Sequence, residues 1–130
     1  MAYRLLDHTA DLRAEVTAPS EDGLYQAGVD LVRGILVGDS AVRASESRRM
    51  ELAAGEAAER FFCFLRELVY MYDAESFLAA VAADGGRKVI GETFDPGRHR
   101  SFHQLKAVTR HGFQFDGRPG CWRAEVVFDT

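Results

Sequence analysis

Asp11-Leu12-Arg13-Ala14-Glu15-Val16-Thr17 alternates, with Leu12, Ala14 and Val16 on one side and Asp11, Arg13, Glu15 and Thr17 on the other. A period of two marks a strand with one buried face. Pro19-Ser20 ends it, and Ser20 is suited to cap a helix carrying Leu24, Ala27, Gly28, Leu31, Val32 and Ile35 on one face. Gly34 and Gly38 mark the end of that helix. After a polar stretch, Met50 and Leu52 predict a short strand. A second helix follows from about Glu56 to Tyr72, burying Ala58, Phe61, Phe62, Leu65, Leu68 and Tyr72.

The remainder reads as β structure. Phe77 to Ala82 and Val89 to Phe94 flank Asp84-Gly85-Gly86, a hairpin signal. The stretches Gln104 to Phe115 and Cys121 to Phe128 flank a second one, Asp116-Gly117-Arg118-Pro119-Gly120. In the last strand Trp122, Ala124, Val126 and Phe128 share a face, and Asp129 has the opposite parity. Strand and long crossover do not repeat. The expected fold is therefore α+β, a two-layer domain over residues 1–130 with two helices on one mostly antiparallel sheet.

Composition narrows the function. A chain of 130 residues is long enough to bury a core, and 47% hydrophobic with 28% charged residues is a globular composition. No apolar run approaches the roughly 18 residues of a membrane span, and Met1-Ala2-Tyr3-Arg4 opens no signal peptide. A cytoplasmic protein with no membrane partner is expected. Cys63 and Cys121 offer no disulfide framework and read as small buried hydrophobes. The net charge of −4 argues against broad nucleic-acid binding, although Arg98, His99, Arg100, His103, Lys106 and Arg110 make a local basic run.

Common catalytic signatures are missing: there is no G-x-G-x-x-G, no P-loop and no G-x-S-x-G elbow. His99-x-x-x-His103 has helical metal spacing, but Pro96-Gly97 and the β pattern beyond it oppose a helix there. The ends of the chain carry the stronger pattern. His8-Thr9-Ala10-Asp11 leads into the alternating strand, and the last strand runs out at Asp129-Thr130. If those strands are neighbours, Asp11, Asp129 and the terminal carboxylate offer hard oxygen ligands to a divalent cation such as Ca²⁺ or Mg²⁺. Solvent-facing strand ends are the plain alternative. His8 has two readings as well, a functional group or a residue that shapes the turn before Asp11. Of sixteen basic residues only Lys88 and Lys106 are lysines, and Lys106 lies on the outward parity.

Taken in order, several motifs resemble the archease family, small proteins that assist the RtcB-type RNA ligase. They are His8-Thr9-Ala10-Asp11, the helical Leu65-Arg66-Glu67-Leu68-Val69-Tyr70, Gly91-Glu92-Thr93-Phe94-Asp95, and His99. Leu105-Lys106-Ala107-Val108-Thr109-Arg110-His111 and Val126-Val127-Phe128-Asp129-Thr130 complete the set. The resemblance covers nearly the whole chain. It departs at Phe64-Leu65, where the family often has tryptophan-leucine, at Arg110 for tyrosine, and at Thr130 for an aliphatic residue.

That resemblance implies an activator rather than an enzyme. Asp11, Asp129 and Thr130 would hold the cation, with calcium the ion associated with the family. Lys106 and His8 would contact the partner or a phosphate. The implied partner is the ligase, which loads GMP onto a histidine and joins RNA ends in tRNA splicing or repair. RNA would be met only through the ligase. Two other classes fit the residues: a small metal-dependent phosphohydrolase using Asp11, Asp129 and His8, and a chaperone-like interaction module.

Overall fold

The computed structural model describes residues 2–6 and 11–130. In chain order the elements are β1 (Ala2–Leu6), β2 (Leu12–Ala18), α1 (Glu21–Val37), β3 (Glu46–Arg49) and α2 (Ala57–Glu75). There follow β4 (Phe77–Ala83), a 3₁₀ turn at Asp84–Gly86, β5 (Lys88–Thr93), β6 (Ala107–Arg118) and β7 (Cys121–Asp129). The expected α+β arrangement of two helices on antiparallel strands forms, and the strands divide between two sheets. One has the order β1-β2-β7-β6 and the other β3-β5-β4.

The alternation in β2 does what its pattern dictates. Leu12, Ala14, Val16 and Ala18 are buried, and β7 sets Ala124, Val126 and Phe128 beside them on the same face. Ser20 caps α1, its hydroxyl accepting from the Gly23 N–H at 3.0 Å, and Glu21 and Asp22 sit at the positive end of the helix dipole. Gly38, at φ 63°, closes the helix with its N–H on the Gly34 carbonyl. Gly28 lets the helices approach, since a Cβ there would lie 3.1 Å from the Leu65 side chain and 3.3 Å from Phe61. Phe61, Phe62 and Phe64 of α2 join Tyr25 and Phe128 in the core. The first helix packs on β2 and β4, the second on β6 and β4.

β4 is an edge strand, and its unpaired backbone is covered by α1. The Gln26 side chain acts as a surrogate strand: its amide donates to the Ala80 carbonyl at 3.1 Å and its oxygen accepts from the Ala82 N–H at 2.8 Å. Arg33 donates to the same Ala80 carbonyl at 2.9 Å. These bonds coincide with a register shift between Ala79 and Val81 that leaves Ala80 unmatched on β5.

Four local expectations are corrected. β1, which pairs Tyr3 with Val16 and Leu5 with Ala14, precedes the strand expected to be first. Two buried neighbours are too few in five residues to give a legible alternation at an edge. The short strand expected at Met50 and Leu52 lies earlier, at Glu46–Arg49, and Met50 is the buried residue after it. β6 begins at Ala107 and runs to Arg118, so the turn is Pro119-Gly120 alone. Cys63 is buried as expected, whereas Cys121 is exposed at the start of β7.

Replacing Gln26 with Leu keeps the bulk but leaves the Ala82 N–H unpaired. Unfolding in urea should show a loss of roughly 1–2 kcal/mol with an unchanged slope.

Candidate functional site

The β2–β7 register brings the two ends of the described chain together. Leu12 pairs with Phe128, so one step further the antiparallel ladder sets Asp11 beside Asp129. On the other side of β7, Ala107 pairs with Asp129, and the Lys106 N–H donates to the Asp129 carbonyl at 2.8 Å. Asp11, Asp129, Thr130 and Lys106 therefore meet at one end of the sheet, and all four are exposed. His8, Thr9 and Ala10 lie outside the described residues. Among those described, no three His, Cys, Asp or Glu side chains cluster as a metal site. The donors available at this end are two carboxylates and main-chain oxygens.

Beside Lys106 opens a cleft of about 420 Å³. Gln104, Leu105 and Lys106 form one wall, and Tyr72, Asp73 and Ser76 from the C-terminal turn of α2 form the other. Ser76, in the left-handed conformation at φ 56°, ends that helix. Its carbonyl accepts from the Phe94 N–H at 2.7 Å, which ties the helix end to the end of β5.

Behind the cleft lies a buried polar cluster that sequence reasoning missed. Glu92 and His99 are 6% and 4% exposed. The Glu92 carboxylate accepts from the Arg98 guanidinium, from the Arg43 N–H at 2.7 Å and from His99 Nε2 at 2.9 Å. His99 Nδ1 accepts from the Asp95 N–H at 2.8 Å. A backbone N–H can only donate, so Nδ1 carries a lone pair and the ring proton sits on Nε2, aimed at Glu92. His99 is thus a neutral, fully committed imidazole. The Arg98 fork, with help from the Arg43 N–H and His99, outweighs burial and lowers the Glu92 carboxyl from 4.5 to about 2. Glycine-glutamate at a strand end with a histidine seven residues on was the available signal, but nothing in periodicity singles it out.

The basic run from 98 to 110 is not a uniform basic face. Arg98 is spent on Glu92, His99 is buried, and Arg110 grips Glu59 at 2.6 and 2.8 Å while lying 4.1 Å from the Phe62 ring centroid. The His99-x-x-x-His103 spacing falls on a loop, not a helix.

Comparison with known proteins adds the family. The model of the Archease protein family matches residues 3–130. The chain belongs to that family. It is 27% identical to protein archease of Methanopyrus kandleri, with 99% of each chain covered. It is 33% identical to the probable protein archease of Mycobacterium tuberculosis, over 98% of this chain and 74% of the relative. The solution structure of a Methanobacterium thermoautotrophicum protein superposes with a TM-score of 0.75 at 20% identity, covering 98% of both chains. A Thermotoga maritima archease, described as a possible chaperone, superposes at 0.63 and 20% identity, over 96% and 94%. At that identity the two structures speak for the fold alone. Among the described residues no helix is long and apolar enough to cross a membrane.

In this archease the Glu92 carboxyl titrates lower folded than unfolded, so its contribution to stability is complete above pH 4.5 and vanishes as pH falls toward about 2. Glu15 is also held below its ordinary value, by hydrogen bonds from Arg4 and Arg123, so the comparison must be with a variant. Glu92→Gln should cost on the order of 2–3 kcal/mol near neutrality, and the gap to wild type should narrow below pH 4.5. Urea unfolding at stepped pH measures it; a gap that stays constant would mean that Glu92 carries no charge in the fold.

Proposed function

We propose that this archease activates an RtcB-type RNA ligase, promoting its guanylylation and multiple turnover in tRNA splicing or RNA repair in the cytoplasm. It acts as a protein cofactor, not as an enzyme. The observation that carries this reading is the meeting of Asp11, Asp129, Thr130 and Lys106 at one exposed sheet end in a chain of this family.

The donors suit a hard divalent cation such as calcium, the ion the family resemblance implies: two carboxylates and the main-chain oxygen of Thr130, on adjoining strands. Bound there, the cation would supply concentrated positive charge for phosphate or for ligands shared with the ligase. The protein's own contribution is rigidity. The Lys106 N–H holds the Asp129 carbonyl, which steadies the strand end, and the exposed ammonium beside it would reach a phosphate oxygen. RNA is met only through the ligase, a view supported by the net charge of −4 and by the arginines already bound to glutamates.

Two variants and one truncation test the reading. Asp11→Asn and Asp129→Asn should each weaken calcium binding in titration calorimetry and slow guanylylation of the cognate ligase by about tenfold or more. Deleting Asp129-Thr130 should do the same, where an interaction module without a metal would keep its activity. Full stimulation by both point variants would overturn the proposal.

A further inference from the structure

Resting on that reading of the sheet end, we propose that Glu92 and His99 are the positioning residues of the Lys106 cleft, setting where its two walls stand relative to Asp129. Both walls hang on this buried pair. On one side, His99 anchors the loop from Asp95 to Leu105, which has no regular secondary structure and delivers Lys106 to the sheet. The ring holds that loop at two points, Nδ1 on the Asp95 N–H and Nε2 on the Glu92 carboxylate of β5. The loop's middle rests on the end of α1, where Phe102 N–H and His103 N–H donate to the carbonyls of Leu36 and Ile35. Its far end is the Lys106 N–H on the Asp129 carbonyl.

On the other side, the His99 ring packs on Phe94 with centroids 5.6 Å apart, and Phe94 meets Tyr72 edge-on at 6.2 Å. Tyr72 lines the cleft opposite Lys106. One imidazole therefore stands behind both walls, by hydrogen bonds to one and by ring packing to the other. A neutral histidine with both nitrogens engaged cannot rotate without breaking a buried hydrogen bond, which makes it a stiff spacer.

Amide exchange by NMR tests the placement in the protein alone. His99→Gln retains a group at the Nε2 position but loses the acceptor for Asp95, and Glu92→Gln is a second variant should the first fold poorly. Both should speed exchange of the Lys106 amide by about tenfold or more, while Ala14 and Val126 in the central strand pair stay protected. Unchanged exchange at Lys106, or equal acceleration at all three, overturns the proposal, the latter being plain destabilisation. Guanylylation of the ligase supplies the second arm. His99→Gln should lower stimulation by about tenfold, and His99→Gln with Lys106→Ala should be no worse than Lys106→Ala alone. Additive losses would mean that His99 does not act through Lys106, and so also overturn the proposal. If Lys106→Ala stimulates like wild type, the assigned role of the sheet end fails, while the exchange result still decides the positioning by itself.

Discussion

Everything at the candidate site depends on the pairing of β2 with β7. These strands are more than a hundred residues apart in sequence, and their ladder runs without a shift from Leu12–Phe128 to Ala18–Trp122. The register is fixed by burial. A slip of β7 by one residue would turn Ala124, Val126 and Phe128 outward and bring Arg123 and Glu125 inward. The outer face reinforces the same alignment, since Glu15 accepts from Arg4 on β1 and from Arg123 on β7. Hydrophobic burial on one side and an Arg–Glu–Arg bridge on the other therefore agree on a single register, and that register alone puts Asp11 next to Asp129.

The second support is the buried cluster around Glu92, which gives an irregular segment the stiffness that a helix or strand would otherwise supply. A buried carboxylate is costly unless every lone pair has a donor. Here the donors come from two stretches, the backbone before β3 at Arg43 and the loop that carries the Arg98 guanidinium and the His99 ring, and Glu92 itself stands on β5. Satisfying the charge thus fixes three stretches of chain at once. The same logic governs the β4 edge, where Gln26 and Arg33 meet backbone groups that a neighbouring strand would have met.

Periodic features were legible in the sequence, and conditional ones were not. The alternation of β2 and β7, the apolar stripes of α1 and α2 and the Ser20 cap are local patterns, each read from a few adjacent residues. β1 escaped because an edge strand buries too little to impose a pattern; Leu5 remains 54% exposed. The start of β6 was misplaced because Gln104 and Leu105 look like strand residues, yet the ladder begins only where β7 offers a partner, at Ala107. The division into two sheets also has no local signature. At the site, the residues at the two chain ends were legible as candidates, whereas the Glu92–His99 pair was not. A buried hydrogen-bonded pair is encoded by who surrounds it, and that depends on the completed fold.

Charge placement gives the sheet end its distinct character. Glu15, Glu59 and Glu92 each have an arginine, and the carboxylates of all three are held below their ordinary range by it. Among the described residues, neither Asp11 nor Asp129 has such a partner. Two like charges on neighbouring strands cost stability, by roughly the few tenths to one kcal/mol that an opposite pair would contribute. In a chain with sixteen basic residues, an arginine nearby would have removed that cost. Leaving the carboxylates unmatched makes sense when the compensating charge arrives from outside, because a ligand that binds only the folded state returns its binding free energy as stability. A cation or a partner's cationic group that came to this pair would offset its repulsion, and the pair lies beside the main chain of Lys106, on the strand end that the buried Glu92–His99 pair keeps in place.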